Sequence, residues 1–480
     1  MPVRIIITFL SERSWAPPAE AASILMPEQA RIPKKLNPTR VPIRENDPLE
    51  RRGVFVEALL PYTREEAILE AQRCIQCGKP WCMEACPISQ DARGYIKLMA
   101  AGDFNGAQDL ILRDNPLAAC LGDVCYHYCE PVCPVGKRGQ PIAIRHLKRA
   151  AMAYADPAEP YAPVVPTNGM RVAVIGGGPA GLMNAWVLAQ RGYDVTLFEA
   201  SDRLGGLMTG TIPSYRLTDE TFEEDMARFA NLPLHFLFHK EFPKDVSLDA
   251  LLEDFDAVFL SIGTHKSRSL GIPGEDLDGV TLALKYLKES KRGERVSIRP
   301  RVVVIGGGDV AMDSARTALR HGAEEVTVLY RRSREEMPAD DQEIKEAMDE
   351  GVKFQFLVAP KRFLGTKRLE GIELQPMELG PPDESGRRRP VPANTPPIVM
   401  KCDAAILAVS QEADLDVLPR DLDVKLAKDG TLQADPQTGA TKRAGVYAGG
   451  GASVVHAMAA GKRAALAMDA FMLAKNNEAT

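Results

Sequence analysis

What this chain has little of narrows what it can be. Neither sign of charge is in excess: its 480 residues carry 59 Lys and Arg against 65 Asp and Glu, a formal net charge of −6. A balance this close argues for neither a nucleic-acid nor a membrane surface. Long apolar runs are missing too. A spanning helix needs about 18–20 consecutive apolar residues, and no stretch approaches that. The opening apolar stretch, Ile5–Leu10, is too short for a signal-peptide core and runs into Ser11, Glu12 and Arg13. These absences put the chain in the cytoplasm. Cysteine is nearly absent outside one place: of nine, all but Cys402 fall between Cys74 and Cys133. Cytoplasmic thiols stay reduced, so such a cluster reads as metal binding rather than as disulfides. The length allows two or three domains with proper cores.

What is present begins with glycine. Arg171–Gly181 runs four apolar residues into three glycines, and a helical pattern, Leu182–Arg191, follows. Gly176 permits the tight turn, Gly178 lets backbone approach a pyrophosphate, and Gly181 lets helix and strand pack closely. Pro179 and Ala180 open the helix, whose first turn offers N–H groups and a partial positive charge to phosphates. A second strand, Asp194–Glu199, ends in an acid placed to accept from a ribose hydroxyl. The stretch recurs 130 residues on, at Arg301–Ala311, with Gly306, Gly308, Asp309 and Val310 in the loop and helix start. Two nucleotide-binding βαβ units predict two dinucleotides, and hence a hydride or electron relay. The second copy's strand, Glu325–Tyr330, ends not in an acid but in Arg331, Arg332 and Arg334. Arginines there accommodate a 2′-phosphate, which favours NADP(H) over NAD(H).

The cysteines form two quartets, each ending in Cys-Pro: Cys74, Cys77, Cys82 and Cys86, then Cys120, Cys125, Cys129 and Cys133. The first has the ferredoxin logic of three thiolates on a tight loop and a fourth that points elsewhere. Zinc sites prefer paired short spacings or histidines, so two 4Fe-4S clusters fit better than zinc. Trp81, Tyr126 and Tyr128 lie between the cysteines and would shield clusters from water. Thr63 and Glu66 form a capping-box signature, with Ala67, Ile68, Ala71 and Ile75 at helical spacing beyond it. Ile142–Tyr154 reads as a helix and the proline-rich 156–168 as a linker. Arg203, Gly206 and Leu207 belong to a second glycine turn suited to a flat ring. Asp256–Gly263 is a buried strand ending at the ligand edge of a sheet, and 378–397 is a hairpin or loop. Cys402 reads as core. Gly445–Gly451 followed by Ser453 reads as strand, glycine turn and helix, with Gly450 and Gly451 near a cofactor.

Taken together, the chain resembles the glutamate synthase small-subunit family, with its relatives the FAD- and NADPH-binding region of dihydropyrimidine dehydrogenase and the larger subunit of NADH-dependent ferredoxin–NADP reductase. The resemblance rests on Met26–Gln29, Tyr62–Ala67, Arg73–Pro87, Ala143–Arg149, both glycine fingerprints, Gly306–Asp313, Tyr330–Arg332 and Met337–Pro338. It implies an α/β fold: a helical iron–sulfur domain followed by two Rossmann-like dinucleotide-binding domains. The expected division is an extended arm over 1–60, a helical two-cluster domain over 61–165, an FAD domain over 168–295 and 411–480, and an NAD(P)H domain inserted over 296–410. The resemblance also implies that Gly176, Gly178, Gly181, Glu199, Arg203, Gly206 and Leu207 contact FAD. Gly308, Asp309, Arg331, Arg332 and Arg334 would contact the nicotinamide dinucleotide.

The chain departs from the family in four places. Gly451 stands where the family carries an Asp that holds the ribityl chain, and Ser410 where it carries Gly. An extra residue separates Cys120 from Cys125. Lys148 stands where some relatives complete a cluster with Gln or Glu. Lysine is a poor iron ligand, so the implied split is Cys74, Cys77, Cys82 and Cys133 for one cluster, and Cys86, Cys125 and Cys129 with Cys120 for the other. The implied activity is electron transfer between NAD(P)H and a larger catalytic subunit or ferredoxin-type carrier, in a hetero-oligomer. Nothing in the chain resembles an amidotransferase, a pyrimidine site or a tungsten or molybdenum centre. A stand-alone NAD(P)H:acceptor reductase and a scaffold subunit without flavin turnover are the alternatives.

Overall fold

The computed structural model describes residues 37–156, 166–294, 299–383 and 386–479. Met26–Gln29 and the rest of the arm to residue 36, most of the expected linker and the 296 boundary lie outside them. Within the described part of the arm, Arg44–Glu45 pairs antiparallel with Leu59–Leu60. Between them Asp47 caps a short helix, Pro48–Arg51.

The helical region begins at α1 (Arg64–Ala71), where the capping box forms as expected: Thr63 Oγ1 accepts from Glu66 N at 3.2 Å and the Glu66 carboxylate accepts from Thr63 N at 2.8 Å. The helix stops at Ala71, short of the Ile75 that its spacing suggested, and Ile75 is exposed. The chain turns out of the helix to deliver Cys74 and Cys77, passing through a positive φ at Gln76. Next come α2 (Ala92–Ala100) and α3 (Phe104–Leu112), each started by an aspartate, Asp91 and Asp103, that accepts from an N–H in its first turn. α4 (Ala118–Val124) and α5 (Ile144–Tyr154) complete the bundle. Tyr95, Ile96, Met99, Ile111 and Leu147 fill its core.

The first nucleotide unit comprises β1 (Arg171–Ile175), α6 (Pro179–Ala189), β2 (Asp194–Phe198), α7 (Asp219–Ala227), β3 (Leu234–Leu237) and β4 (Ala257–Leu260). The second runs from β5 (Val280–Leu282) and α8 (Ala283–Lys291) through β6 (Arg301–Ile305), α9 (Asp309–Arg320), β7 (Glu325–Tyr330), α10 (Asp341–Asp349) and β8 (Lys353–Phe356) to β9 (Ala404–Leu407). The chain then returns to the first unit as β10 (Val446–Ala448) and the long α11 (Val454–Ala479). Both sheets are five-stranded and parallel, in the orders β10-β4-β1-β2-β3 and β8-β7-β6-β9-β5. Because β5 pairs with β9, the second sheet takes in residues ahead of the 296 boundary expected from the sequence. Gly371–Pro382 and Arg388–Pro392 form the expected hairpin on this unit. Cys402 is fully buried in the core below β9.

Three parts of the chain meet at one buried ionic network. The Glu350 carboxylate, at the end of α10, accepts from Arg51 of the arm at 2.9 Å, from Arg316 at 2.7 Å and from Arg320 at 2.6 Å, all within the core. Arg316 also pairs with Glu343 and Glu346, at 2.9 and 2.8 Å. From the first unit, the Tyr215 ring lies 3.9 Å from the Arg320 guanidinium and 4.6 Å from that of Arg316. Its neighbour Arg216 pairs with Asp313 and Glu343, both at 2.9 Å. Burial pushes the Glu350 carboxyl up, but the hydrogen bonds from Arg320 and Arg316 more than offset it and hold the group down at about 2.

Removing one partner leaves buried guanidinium groups uncompensated, which costs about 3–5 kcal/mol. Chemical denaturation of Glu350→Gln is therefore expected to show a loss of that size. Because the folded group titrates below its ordinary 4.5, its contribution is complete above that pH and is lost as pH falls towards 2. A pH series in which the difference between wild type and Glu350→Gln stays constant over that window would contradict this account.

Candidate functional site

One cavity of about 870 Å³ lies at the carboxyl edge of the first sheet. Gly176, Gly178, Pro179, Ala180, Glu199, Arg203, Gly206, Leu207, Gly263, Gly450, Gly451 and Ser453 all line it. The second unit contributes Asp309, Val310 and Asp313, and the cysteine region contributes Val124 and Tyr126. A volume of this order suits a cofactor, and the glycines show where it would lie. At Gly176, φ is +97° and a Cβ would stand 2.3 Å from Ser261 O; at Gly181 it would stand 2.0 Å from Gly176 O. Both positions are closed by packing. Gly178 has nothing within 4 Å, so its bare backbone faces the open cavity where a pyrophosphate would meet the first turn of α6. Glu199 is already committed to the loop: its carboxylate accepts from Gly177 N and from Ser201 N, each at 2.8 Å. Arg203 pairs with Asp219 at 3.0 Å. These residues fit a dinucleotide, and Gly206 and Leu207 line the same cavity.

Gly451 has a steric reason. A Cβ there would stand 2.2 Å from Ala457 N and 2.5 Å from His456 C, so the first turn of α11 leaves no room for any side chain. The start of α11 packs against Gly451, and Ser453 and Val454 line the cavity there. Its Ser453 hydroxyl lies 3.0 Å from His456 Nδ1. Ser410 has a φ of +150°, a backbone conformation that glycine adopts far more readily than serine.

In the second unit Gly306 repeats the packing role: its φ is +149° and a Cβ would stand 2.2 Å from Ala408 O. Gly308 again has open space, its nearest neighbour Pro338 Cγ being 3.9 Å away. Asp309 opens α9 and accepts from Asp340 N at 2.9 Å, and burial pushes its carboxyl up to about 8. The three arginines separate in role. Arg332 is buried and tied to Asp383 at 2.7 Å and to Arg388 O at 2.8 Å. Arg334 pairs with Asp341 at 2.7 Å. Arg331 is exposed, and its guanidinium has no partner among the described residues.

The cysteines regroup across the two sequence quartets. Cys74, Cys77, Cys82 and Cys133 line one small cavity with Pro80 and Trp81. Burial, and then the charges of Cys133, Cys77 and Cys82, push the Cys74 thiol up to about 11, opposed by a backbone hydrogen bond from Gln76. Among the described residues no three metal-ligating side chains converge on a point as a single ion requires. A cubane instead takes one thiolate at each of four corners, and this ring of four fits one. Elsewhere, Cys86 and Cys129 are each within electrostatic reach of Cys125 and of Lys148. Cys120 lies deeper, in the core against which Cys86 and Cys125 pack. Its N–H donates to Asp225 Oδ2 at 2.9 Å, and its Sγ lies 4.0 Å from Thr221 O, on and beside α7. Burial and the neighbouring Asp225 push that thiol well above its ordinary range.

Two contacts were not legible in the sequence. His127 Nε2 lies 3.4 Å from Asp340 Oδ2, which joins the cysteine loop to the second unit. Tyr128 packs on His456 with ring centroids 4.9 Å apart, which joins it to α11. Tyr126 and Tyr128 stack at 6.0 Å, and Tyr126 faces the large cavity, whereas Trp81 is partly exposed beside the four-cysteine ring.

Comparison with known proteins agrees with this architecture. Residues 170–477 match the pyridine nucleotide-disulphide oxidoreductase family, and residues 51–159 match dihydropyrimidine dehydrogenase domain II, 4Fe-4S cluster. A solved structure of FprA from Mycobacterium tuberculosis with NADPH shares the fold, at TM-score 0.54 and 18% identity over 65% of this chain and 86% of that one. The chain thus joins a unit of the pyridine nucleotide-disulphide oxidoreductase family to an iron–sulfur-associated region on its N-terminal side. Within that class it belongs to the family of the glutamate synthase small chains and NADPH-oxidoreductase beta subunits. It is 32% identical to the glutamate synthase [NADPH] small chain of Azospirillum brasilense, over 89% of this chain and 93% of that protein. It is 39% identical to the NADP(+)-dependent formate dehydrogenase subunit beta of Moorella thermoacetica, over 82% of this chain, and to the NADPH-Fe(3+) oxidoreductase subunit beta of Geobacter sulfurreducens, over 73%. Of those two relatives' own lengths it spans only 60% and 54%.

Because Glu199 orders the glycine loop, Glu199→Ala is expected to lower the FAD retained on purification. Losing a charge-assisted hydrogen bond costs about 1.5–3 kcal/mol, a tenfold or greater weakening. The flavin-to-protein absorbance ratio measures it, and an unchanged ratio would remove Glu199 from the site.

Proposed function

We propose that the chain is the nicotinamide-linked subunit of a larger oxidoreductase, moving electrons between NADPH and a partner catalytic subunit or ferredoxin-type carrier. The observation that carries this reading is the single cavity lined from three sources: the first nucleotide unit, the helix start of the second, and the cysteine region. FAD, when bound there, supplies the conversion between two-electron hydride chemistry and single-electron transfer. The chain's own residues bind and position. The Gly176–Gly181 loop and α6 receive the flavin dinucleotide's phosphates, and Gly308 and α9 receive those of the nicotinamide dinucleotide. Val310 and Asp313 bring the second dinucleotide to the same cavity. Cys74, Cys77, Cys82 and Cys133 would hold one 4Fe-4S cluster, and Cys86, Cys125 and Cys129 are the ligands available for a second. Eight clustered thiols suit a reducing compartment, so we place the protein in the cytoplasm. Among the described residues no helix is long and apolar enough to cross a membrane.

A partner is supported by the relatives, which are named as subunits or small chains of larger enzymes. Preference for NADPH is supported by those same names and by Arg331, the one arginine of the three left free to pair with a 2′-phosphate. A scaffold without flavin turnover would rest on Gly451 alone, and the packing of α11 supplies a steric reason for that glycine.

The test is anaerobic titration of the purified holoprotein. NADPH is expected to bleach the flavin, and absence of bleaching by either nicotinamide would overturn the reading. Arg331→Ala is expected to raise the NADPH needed for half-bleaching roughly tenfold to a hundredfold, the equivalent of about 1.5–3 kcal/mol, and to leave NADH almost unaffected. An equal loss for both would mean that Arg331 does not select the 2′-phosphate.

A further inference from the structure

One wall of the large cavity belongs to an element that no glycine fingerprint marks. α8 lines it with Leu284, Leu287, Lys288 and Lys291, spaced as one face of a helix. The helix is fixed on two sides. Lys291 Nζ donates to Leu217 O at 3.1 Å and lies 3.3 Å from Asp219 Oδ1, both in the first unit. Ser290 Oγ lies 2.8 Å from His321 Nε2, at the far end of α9. Lys288, a turn before Lys291, is thereby held at the cavity.

Most cations around this cavity are already neutralised. Arg203, Arg216, Lys266, Lys291 and Arg292 each pair with a carboxylate, at 2.9 to 3.7 Å. Lys240 lines the cavity as well, but it is exposed. Lys288 is half-buried, and among the described residues it has no acid partner. Its polar neighbour is His265 Nδ1, at 3.5 Å, and the bare Gly263 leaves that ring room, since a Cβ there would stand 3.1 Å from His265 Nε2. An imidazole can accept from an ammonium group but cannot neutralise it. Burial, and then Lys288 itself, keep this imidazole below its ordinary range and so uncharged. A partly buried cation without a counter-charge is costly, and an anion in the cavity would supply one. The two nucleotide units differ in their need for it. The first turn of α6 carries no acid and offers its N–H groups directly. α9 instead begins with Asp309, whose carboxyl burial holds up at about 8, so it brings no positive charge at any pH. Asp313, a turn further on, is already paired with Arg216 at 2.9 Å. A pyrophosphate at the start of α9 therefore meets no cationic side chain from its first turn, and α8 of the same unit carries one.

We propose that Lys288 is the counter-cation for the nicotinamide dinucleotide, its ammonium group pairing with the pyrophosphate of NADP(H) in the cavity. Arg331 is left for the 2′-phosphate, so the two cations recognise different parts of one ligand. His265 positions the ammonium group without competing for it. This rests on the reading that both dinucleotides share the cavity, but it concerns binding alone and does not depend on electron transfer.

The test is calorimetric titration of the oxidised holoprotein with NADP+ and, separately, with NAD+, so that no turnover occurs. Lys288→Gln is expected to weaken both ligands roughly tenfold, the scale of one charge-assisted hydrogen bond, and to leave the flavin-to-protein absorbance ratio unchanged. Lys288→Arg keeps the charge and is expected to restore most of the affinity. Added salt should weaken binding to wild type more steeply than binding to Lys288→Gln. Equal affinity in Lys288→Gln and wild type would overturn the proposal. So would a loss confined to flavin content, which puts Lys288 on the flavin, or a loss for NADP+ alone, which puts it on the 2′-phosphate. Should Lys288→Gln fail to fold, Lys288→Met takes its place in each comparison. A wild-type protein that binds neither nicotinamide would end the reading of the cavity itself, whereas a wild type that binds both and a variant that binds them equally well would end only the assignment of Lys288.

Discussion

Everything at the cavity depends on how the two nucleotide units are held, and the Glu350 network is what holds them. A parallel sheet unit binds its dinucleotide at its own edge, so two such units make a relay only if their edges face each other. Here Glu350 gathers Arg316 and Arg320 from α9 and Arg51 from the arm, while Tyr215 of the first unit is packed against both α9 guanidinium groups. The same helix that carries these arginines begins at Asp309, on the cavity. Fixing one end of α9 to the first unit and the arm therefore sets the position of the other end against the flavin site. A buried ionic network is a poor source of net stability but a strict geometric constraint, because few arrangements satisfy all its members.

A second constraint works at close quarters. α11 lies directly on α6, where Gly461 lets its backbone come within reach of Ala180; a Cβ there would stand 2.1 Å from Ala180 O. The Asn184 amide donates to Gly461 O at 3.2 Å and ties the two helices. That contact aims the first turn of α11 at the cavity and folds it over Gly451. One packing event thus accounts for the position of the helix and for Gly451, where any side chain would meet His456 and Ala457.

Local signals were the legible part of the sequence. Both glycine fingerprints, the capping box at Thr63 and Glu66, the hairpin near 378–397 and the buried Cys402 follow from short-range chemistry, and each is where its residues suggested. What the sequence could not convey was set by phase and by distant partners. The turn of α4 that carries Cys120 is held by Asp225, on a helix far along the chain, and nothing near Cys120 in the sequence signals that partner. The three arginines after β7 look equivalent in sequence, yet Asp383 and Asp341 claim two of them. α1 ends at Ala71 although apolar spacing continues to Ile75, because the cysteine loop has to leave the helix there. β5 belongs to the second sheet although it precedes the second fingerprint, since strand order in such sheets does not follow chain order.

The cysteine sets are also unequal in where they lie, and this gives the proposed relay a direction in space. Cys125 is flanked by Val124 and Tyr126, which line the flavin cavity, and the same loop reaches the second unit through His127 and α11 through Tyr128. The set containing Cys125 is therefore the nearer to the flavin. The four-cysteine ring lies beyond it, with Trp81 and Ile75 beside it and both partly exposed. On the proposed reading, the cluster at this ring faces outward, where a partner would meet it, and the set with Cys125 is the inner step, beside the large cavity.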